Sequence, residues 1–237
     1  MRLSFAVLIG CAVCMALLAP ARAQRTVPDT LAQRALACTT CHGAQGRVSA
    51  EGYVPRIAGK PAGYLHRQML AFRDGRRAHE GMARLMAQLT DDYLAELAQH
   101  FASLDLPYAV EPDRRARPAA TPAALQRGEA LVRRGDPALD VPACESCHGS
   151  ALAGVAPGVP GLLGLPRDYV LAQLGAWRNG TRRASTPDCM ARIAQRLSAA
   201  DVPAVADALA ARPVPLRIKP ADTPPARWPM DCGSTAP

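Results

Sequence analysis

The chain has 237 residues, a length that allows one large domain or two small ones. Hydrophobic residues make up 49% and charged residues 20%, a composition that excludes an intrinsically disordered or collagen-like chain. The net charge is +8, and the arginines are scattered rather than interleaved with aromatic residues, so nucleic-acid binding is not expected. These arginines instead indicate a solvated basic surface. Aromatic residues are only 4% of the chain, which suggests that something else fills the core.

The N-terminus has the pattern of a secretory signal peptide over residues 1–23. Arg2 precedes an apolar run from Leu3 to Leu18, and the small-residue site Ala21-Arg22-Ala23 follows. Cleavage there would leave six of the eight cysteines and a net charge of +6, in an oxidising compartment outside the cytoplasm. Two alternatives are a lipobox at Leu8–Cys11 and an uncleaved N-terminal anchor.

An internal repeat covers nearly the whole mature chain and predicts two similar domains. Three blocks recur in the same order at offsets of 105 to 108 residues. A proline-rich, charged stretch between the two copies reads as an extended linker, so we place a first domain at 24–106, the linker at 107–120 and a second domain at 121–237. The repeated blocks are Cys38–Gly43 with Cys144–Gly149, Val54–Gly75 with Val159–Gly180, and Met82–Thr90 with Met190–Ser198.

Each half has helical rather than strand periodicity. Apolar residues recur every three or four positions, and proline or capping residues precede each run. No stretch alternates with period two for long enough to suggest a strand, so we predict an all-α fold. The predicted helices cover about Pro61–Gly75 and its copy Pro166–Gly180, a helix from Thr121-Pro122 to near Gly135, and last helices after Thr90 and after Ser198, the latter with Asp201 in capping-box position.

The strongest motif is C-x-x-C-H, which occurs at equivalent points of the two repeats. The two thiols can add across the vinyl groups of a haem, and the adjacent histidine can bind the iron from one face. A zinc ribbon would need about 15 to 20 residues between its pairs and leaves the histidines unexplained, whereas a thioredoxin-like site would need a βαβ context. We therefore predict two covalently attached haem c groups. The attaching residues are Cys38, Cys41, Cys144 and Cys147, and the iron-binding histidines are His42 and His148.

A second iron ligand is expected on the opposite face of each haem. Met82 and Met190 lie 40 and 42 residues after their histidines and begin the same block of the repeat. His79 is the main alternative for the first haem, because it is only three residues from Met82. Other methionines are expected to be core filler, and the remaining histidines to lie at the surface, since none has a counterpart able to bind iron. These residues are Met69, Met86, His66 and His100.

The sequence at this point resembles dihaem class I cytochromes c of the cytochrome c4 type. The resemblance rests on the two C-x-x-C-H-G motifs, the Tyr-containing helix ending Phe-Arg-Asp-Gly-Arg-Arg, and the Met-(six residues)-Leu-Ser/Thr start of each last helix. It implies two tandem class I cytochrome c domains, each wrapped around a covalently attached haem. It also implies that the carbonyls of Pro55 and Pro160 steady the iron-binding imidazoles. Lys60 and Leu165 depart from the family, which often has Gln there, and Cys189 before the second methionine is another departure.

The resemblance implies a periplasmic electron carrier of a respiratory chain, with two His/Met haems facing each other across a domain interface. Expected partners are a quinol-oxidising complex or a dehydrogenase as donor and a terminal oxidase as acceptor, with peripheral membrane association also considered. Six-coordinate iron has no vacant position for substrate, which argues against catalysis. Two alternatives stay open: a dihaem subunit docked on a periplasmic dehydrogenase, and a dihaem redox enzyme.

Two cysteines are not used for haem attachment. Cys189 and Cys232 have no counterparts in the first half, and an even pair left over in an oxidising compartment is most simply a disulfide. This bridge would tie the C-terminal tail to the segment that carries Met190. The alternative is that both thiols are free, or that Cys232 is frayed with the proline-rich tail.

Overall fold

The computed structural model describes residues 27–47, 53–108 and 120–235. The predicted signal peptide and most of the predicted linker lie outside the described residues. From Leu31 onward the chain forms one compact unit that includes both repeats. Within the described ranges, no helix has the length and apolar character needed to cross a membrane.

The first half is helical, as the periodicity predicts. Its longest helix begins after Thr90, whose hydroxyl accepts a hydrogen bond from Tyr93 N at 3.3 Å. The apolar face of this helix packs on the helix Ala62–Arg73 through Leu65, Leu97 and Phe101. The helices are α1 (Leu31–Arg34), α2 (Leu36–His42), α3 (Ala62–Arg73), α4 (Glu80–Met86) and α5 (Asp91–Ser103).

The second half repeats this arrangement and adds a longer entry helix. Thr121 caps that helix by accepting from Ala124 N at 3.2 Å. It crosses the last helix so closely that a Cβ on Gly128 would lie 2.0 Å from the Ala204 carbonyl oxygen. The predicted capping box is present: Ser198 N donates to Asp201 Oδ2 at 2.9 Å, and Asp201 N donates to Ser198 Oγ at 3.1 Å. The helices are α6 (Pro122–Arg134), α7 (Cys144–His148), α8 (Arg167–Arg178), α9 (Cys189–Arg196) and α10 (Asp201–Ala211).

Two short strands interrupt the otherwise helical second half. The strands β1 (Gly154–Val155) and β2 (Val159–Pro160) form an antiparallel pair directly after α7. The C-terminal tail joins them, because Ala156 N donates to Ala221 O at 2.8 Å and Ala221 N donates to Gly154 O at 2.9 Å. This small sheet positions the carbonyl of Pro160, which becomes important in the second site.

The two halves contact each other through matching loops. These loops follow α3 and α8, where Arg183 N donates to Arg76 O at 2.7 Å and Ala78 N donates to Thr181 O at 3.3 Å. The same segments are equivalent in the repeat, so the contact is close to twofold symmetric. It brings the Tyr-containing helices of both halves to one shared interface.

Candidate haem-binding sites

The first C-x-x-C-H motif lies on helix α2. His42 is buried, and its Nδ1 lies 2.8 Å from Pro55 O, the carbonyl predicted to steady it. With Nδ1 donating its proton to that carbonyl, Nε2 carries the free lone pair that an iron needs. Burial also lowers the pKa of His42, which favours this neutral form.

The second motif has the same geometry on helix α7. His148 is buried, and its Nδ1 lies 2.7 Å from Pro160 O. Burial lowers the pKa of His148 and raises the pKa of Cys144 to about 12, so both groups are held neutral. The equivalence of the two histidine–carbonyl pairs indicates one kind of site built twice.

The two predicted methionine ligands occupy the first turns of α4 and α9. Met82 and Met190 are both half-buried and line the same cavity as the two histidines. His79, the alternative ligand, is exposed and also lines the cavity, but its Nδ1 accepts the Met82 backbone N–H at 3.2 Å and so caps α4. Met86 is only 2% exposed and packs in the core.

A single continuous cavity of about 550 Å³ connects the two motifs. Most of its wall is apolar, and the lining includes the cysteines and histidines of both motifs together with Met82 and Met190. This shape and donor set fit two flat, apolar groups that take one thioether and one imidazole each. A zinc site does not fit, because no group of three or more His, Cys, Asp or Glu side chains gathers within the described residues.

Two buried arginines lie between the halves. Arg77 donates to Gln68 Oε1 at 2.9 Å, and to Tyr169 OH and Gln173 Oε1 at 2.8 Å. Arg182 makes the equivalent hydrogen bonds to the same two glutamines, donating to Gln173 Oε1 at 2.8 Å and to Gln68 Oε1 at 2.7 Å. The expectation that the arginines form a solvated surface is therefore wrong for these two, which are 8% and 5% exposed.

The two arginines also support the fit of haem. Neither Arg77 nor Arg182 forms an ion pair with a carboxylate of the described residues. Buried cations need nearby negative charge, and the propionate carboxylates of two haems would supply it. Sequence reasoning missed this cluster, although the repeat carried a signal for it, since both arginines and both glutamines recur at an offset of 105.

The C-terminal tail covers the second site. Cys189 and Cys232 form a disulfide with an S–S distance of 1.99 Å, and Gly233 N donates to Pro187 O at 2.9 Å. Trp228 and Met230 of the same tail line the cavity. The tail is thus fixed beside the segment that carries Met190.

Comparison with known proteins gives a consistent assignment. No protein-family model matches the sequence. The chain is 36% identical over 180 residues to a thiosulfate dehydrogenase electron acceptor from Thiomonas intermedia, covering 76% of this chain and 80% of that relative. It is also 36% identical over 174 residues to a cytochrome c4 from Pseudomonas aeruginosa, covering 73% of this chain and 82% of that relative.

A solved structure agrees with these relatives. Cytochrome c4 from Acidithiobacillus ferrooxidans superposes with a TM-score of 0.62 at 29% identity, covering 74% of this chain and 99% of that one. The tandem helical halves, the paired C-x-x-C-H motifs and the shared cavity are then explained together. The chain belongs to the cytochrome c4 family and is a dihaem electron-transfer protein with two covalently attached haem c groups.

Proposed function

We propose that His42 and Met82 bind the first haem iron and that His148 and Met190 bind the second. The cavity that these four side chains share is the observation that supports this assignment. The cysteines of each motif would form the thioether bonds. We further infer that residues 24–106 and 121–237 are the two haem domains and that 107–120 is their linker, because the repeated blocks and helices divide there.

The protein's own groups prepare each site for rapid electron exchange. When bound, each haem supplies a one-electron iron couple. The carbonyls of Pro55 and Pro160 fix the tautomer and orientation of the two imidazoles. Because an imidazole and a thioether would bind each iron, no ligand would have to enter or leave when the charge of the site changes. Such a site favours electron transfer over catalysis.

We propose that the electron donor is a periplasmic thiosulfate dehydrogenase. The support is the relative named as the electron acceptor of that enzyme, which this chain covers over 80% of its length. The chemistry is also compatible: joining two thiosulfate ions through a new S–S bond releases two electrons, and two one-electron haems can hold both. The sequence-predicted quinol-oxidising complex is the alternative donor, and we propose a terminal oxidase as the acceptor.

The first haem is the better candidate for electron entry. Cys41 and Leu85 both line the cavity and are exposed, so the cavity reaches the surface at the first site. At the second site the tail residues Trp228 and Met230 are half-buried over the cavity. Electrons would enter at the first haem and pass to the second across the domain interface.

The donor assignment is tested by rapid mixing of the oxidised holoprotein with a purified thiosulfate dehydrogenase and thiosulfate. We expect both haems to be reduced, with two electrons taken up per chain, and no reduction when the enzyme is omitted or sulfate replaces thiosulfate. Reduction only by a quinol-oxidising complex and quinol would overturn the thiosulfate assignment while leaving the carrier function intact.

A further inference from the structure

The interface contains a buried cation that the repeat does not duplicate. Lys60 precedes helix α3 and is only 4% exposed. Its ammonium reaches into the other half, where Nζ donates to Gly161 O at 2.9 Å. The equivalent residue of the second half is Leu165, which packs against the apolar core there. One side of the haem pair therefore has a positive charge where the other has an alkyl group.

The position of this charge relates it to the second site. Gly161 directly follows Pro160, whose carbonyl holds His148 Nδ1 at 2.7 Å. Lys60 and His148 line the same cavity.

Lys60 has no carboxylate in ion-pair distance among the described residues. Burial, with a smaller contribution from Arg56, lowers its pKa to about 8, so the ammonium is still mostly protonated at neutral pH. Arg56 itself is turned towards the carbonyls of Leu106 and Pro107. The arginines Arg77 and Arg182 are placed symmetrically, whereas Lys60 has no charged counterpart in the repeat, where Leu165 stands.

We propose that Lys60 is an electrostatic tuning residue. It belongs to the first domain, but its ammonium lies beside the second site and raises the reduction potential of the second haem. A nearby positive charge stabilises the added electron, and the effect is large where water is excluded. Electrons that enter at the first haem are thereby drawn to the second. The proposal rests on His148 as the ligand of the second haem.

The test compares two neutral variants with a matched control. Lys60→Gln removes the charge but keeps a hydrogen-bond donor, whereas Lys60→Met removes both. Spectroelectrochemical titration of the holoproteins should show the equilibrium constant for electron transfer from the first to the second haem falling about tenfold in both variants, a shift of about 59 mV. Lys219→Gln removes the one other lysine, which is 69% exposed, and should leave both potentials unchanged.

The outcomes separate charge from structure. The potential lowered in the Lys60 variants must be the one that Met190→His also lowers, because that substitution marks the second haem. Unchanged potentials in both variants, or a shift with Lys60→Met only, would overturn the tuning proposal. Two haems and one-electron steps in those variants would still support the carrier function.

A measurement on the unmodified holoprotein covers the case in which a variant does not fold. Amine acylation followed by peptide mass spectrometry should modify Lys219 and leave Lys60 protected until the protein is unfolded. The reason is that Lys60 is enclosed at the interface between the halves. Acylation of Lys60 at the rate of Lys219 in the native holoprotein would contradict the proposal.

Discussion

The close crossing of α6 and α10 makes Gly128 a sensitive position. A Cβ at residue 128 would lie 2.0 Å from the Ala204 carbonyl oxygen and 2.8 Å from the Ala208 Cβ. Real contacts of this kind need more than 3 Å, so the two helices would have to separate by at least about 1 Å where they cross. Overpacking of this kind costs about 3 kcal/mol in the free energy of unfolding.

The matched control is Gly175 in helix α8, where an added Cβ meets no atom within 4 Å. Alanine there should stabilise the protein by up to about 1 kcal/mol, since alanine is the better helix former. Both variants are compared with the parent holoprotein by guanidinium unfolding followed by far-ultraviolet circular dichroism. Equal stability of Gly128→Ala and Gly175→Ala would refute the close crossing.

Three further predictions concern charge, ligand and disulfide. Asp201→Asn should cost about 2 kcal/mol of unfolding free energy at pH 7, because hydrogen bonds from Arg127 and Ser198 lower the pKa of Asp201 to about 2. This stability is present above the ordinary pKa of an aspartate and is lost as the pH falls through the lowered pKa. Urea titrations should therefore show the stability difference between parent and variant shrinking to about half near pH 3 and further below it. Met82→His should lower the potential of the first haem alone, because imidazole stabilises Fe(III) relative to a thioether; an unchanged titration and spectrum in Met82→Ala would mean that another group is the ligand. Cys232→Ser removes a disulfide that joins residues 43 apart in sequence, so thermal unfolding should show a decrease of up to about 4 kcal/mol in the free energy of unfolding. An unchanged free energy of unfolding would mean that the two thiols are free in solution.

Helices and caps could be predicted because their signals are local. Thr90, Thr121 and the Ser198–Asp201 box each lie within three residues of the groups that they bind, and the structure places each at the predicted helix start. The strands β1 and β2 are only two residues long each, so no alternation could reveal them. They also form hydrogen bonds with Ala221 of the tail, which is distant in sequence.

The burial of charge could not be predicted in the same way. Arg77, Arg182 and Lys60 have ordinary sequence neighbours, and their burial is created by contacts between the two halves, with residues more than 90 positions away in sequence. The arginines could have been recognised from their repetition. Lys60 could not, because its counterpart is Leu165 and only the folded interface shows where its ammonium lies.

The proposed ligand positions follow from constraints that the repeat and the chemistry set together. The spacing of each C-x-x-C-H motif fixes where the imidazole must lie, and Met82 and Met190 occur in matching blocks. A C-x-x-C-H motif does not predict which surface binds the donor protein, because partner recognition depends on the whole exposed surface around the haem edge.

If our assignment is right, both haems are six-coordinate, each iron bound by one histidine and one methionine. An optical redox titration of the purified holoprotein can decide this. We expect two one-electron steps, low-spin spectra throughout, and in the oxidised protein the weak long-wavelength band of thioether-bound iron with the intensity of two sites. A high-spin haem, or a long-wavelength band of only one site's intensity, would contradict it.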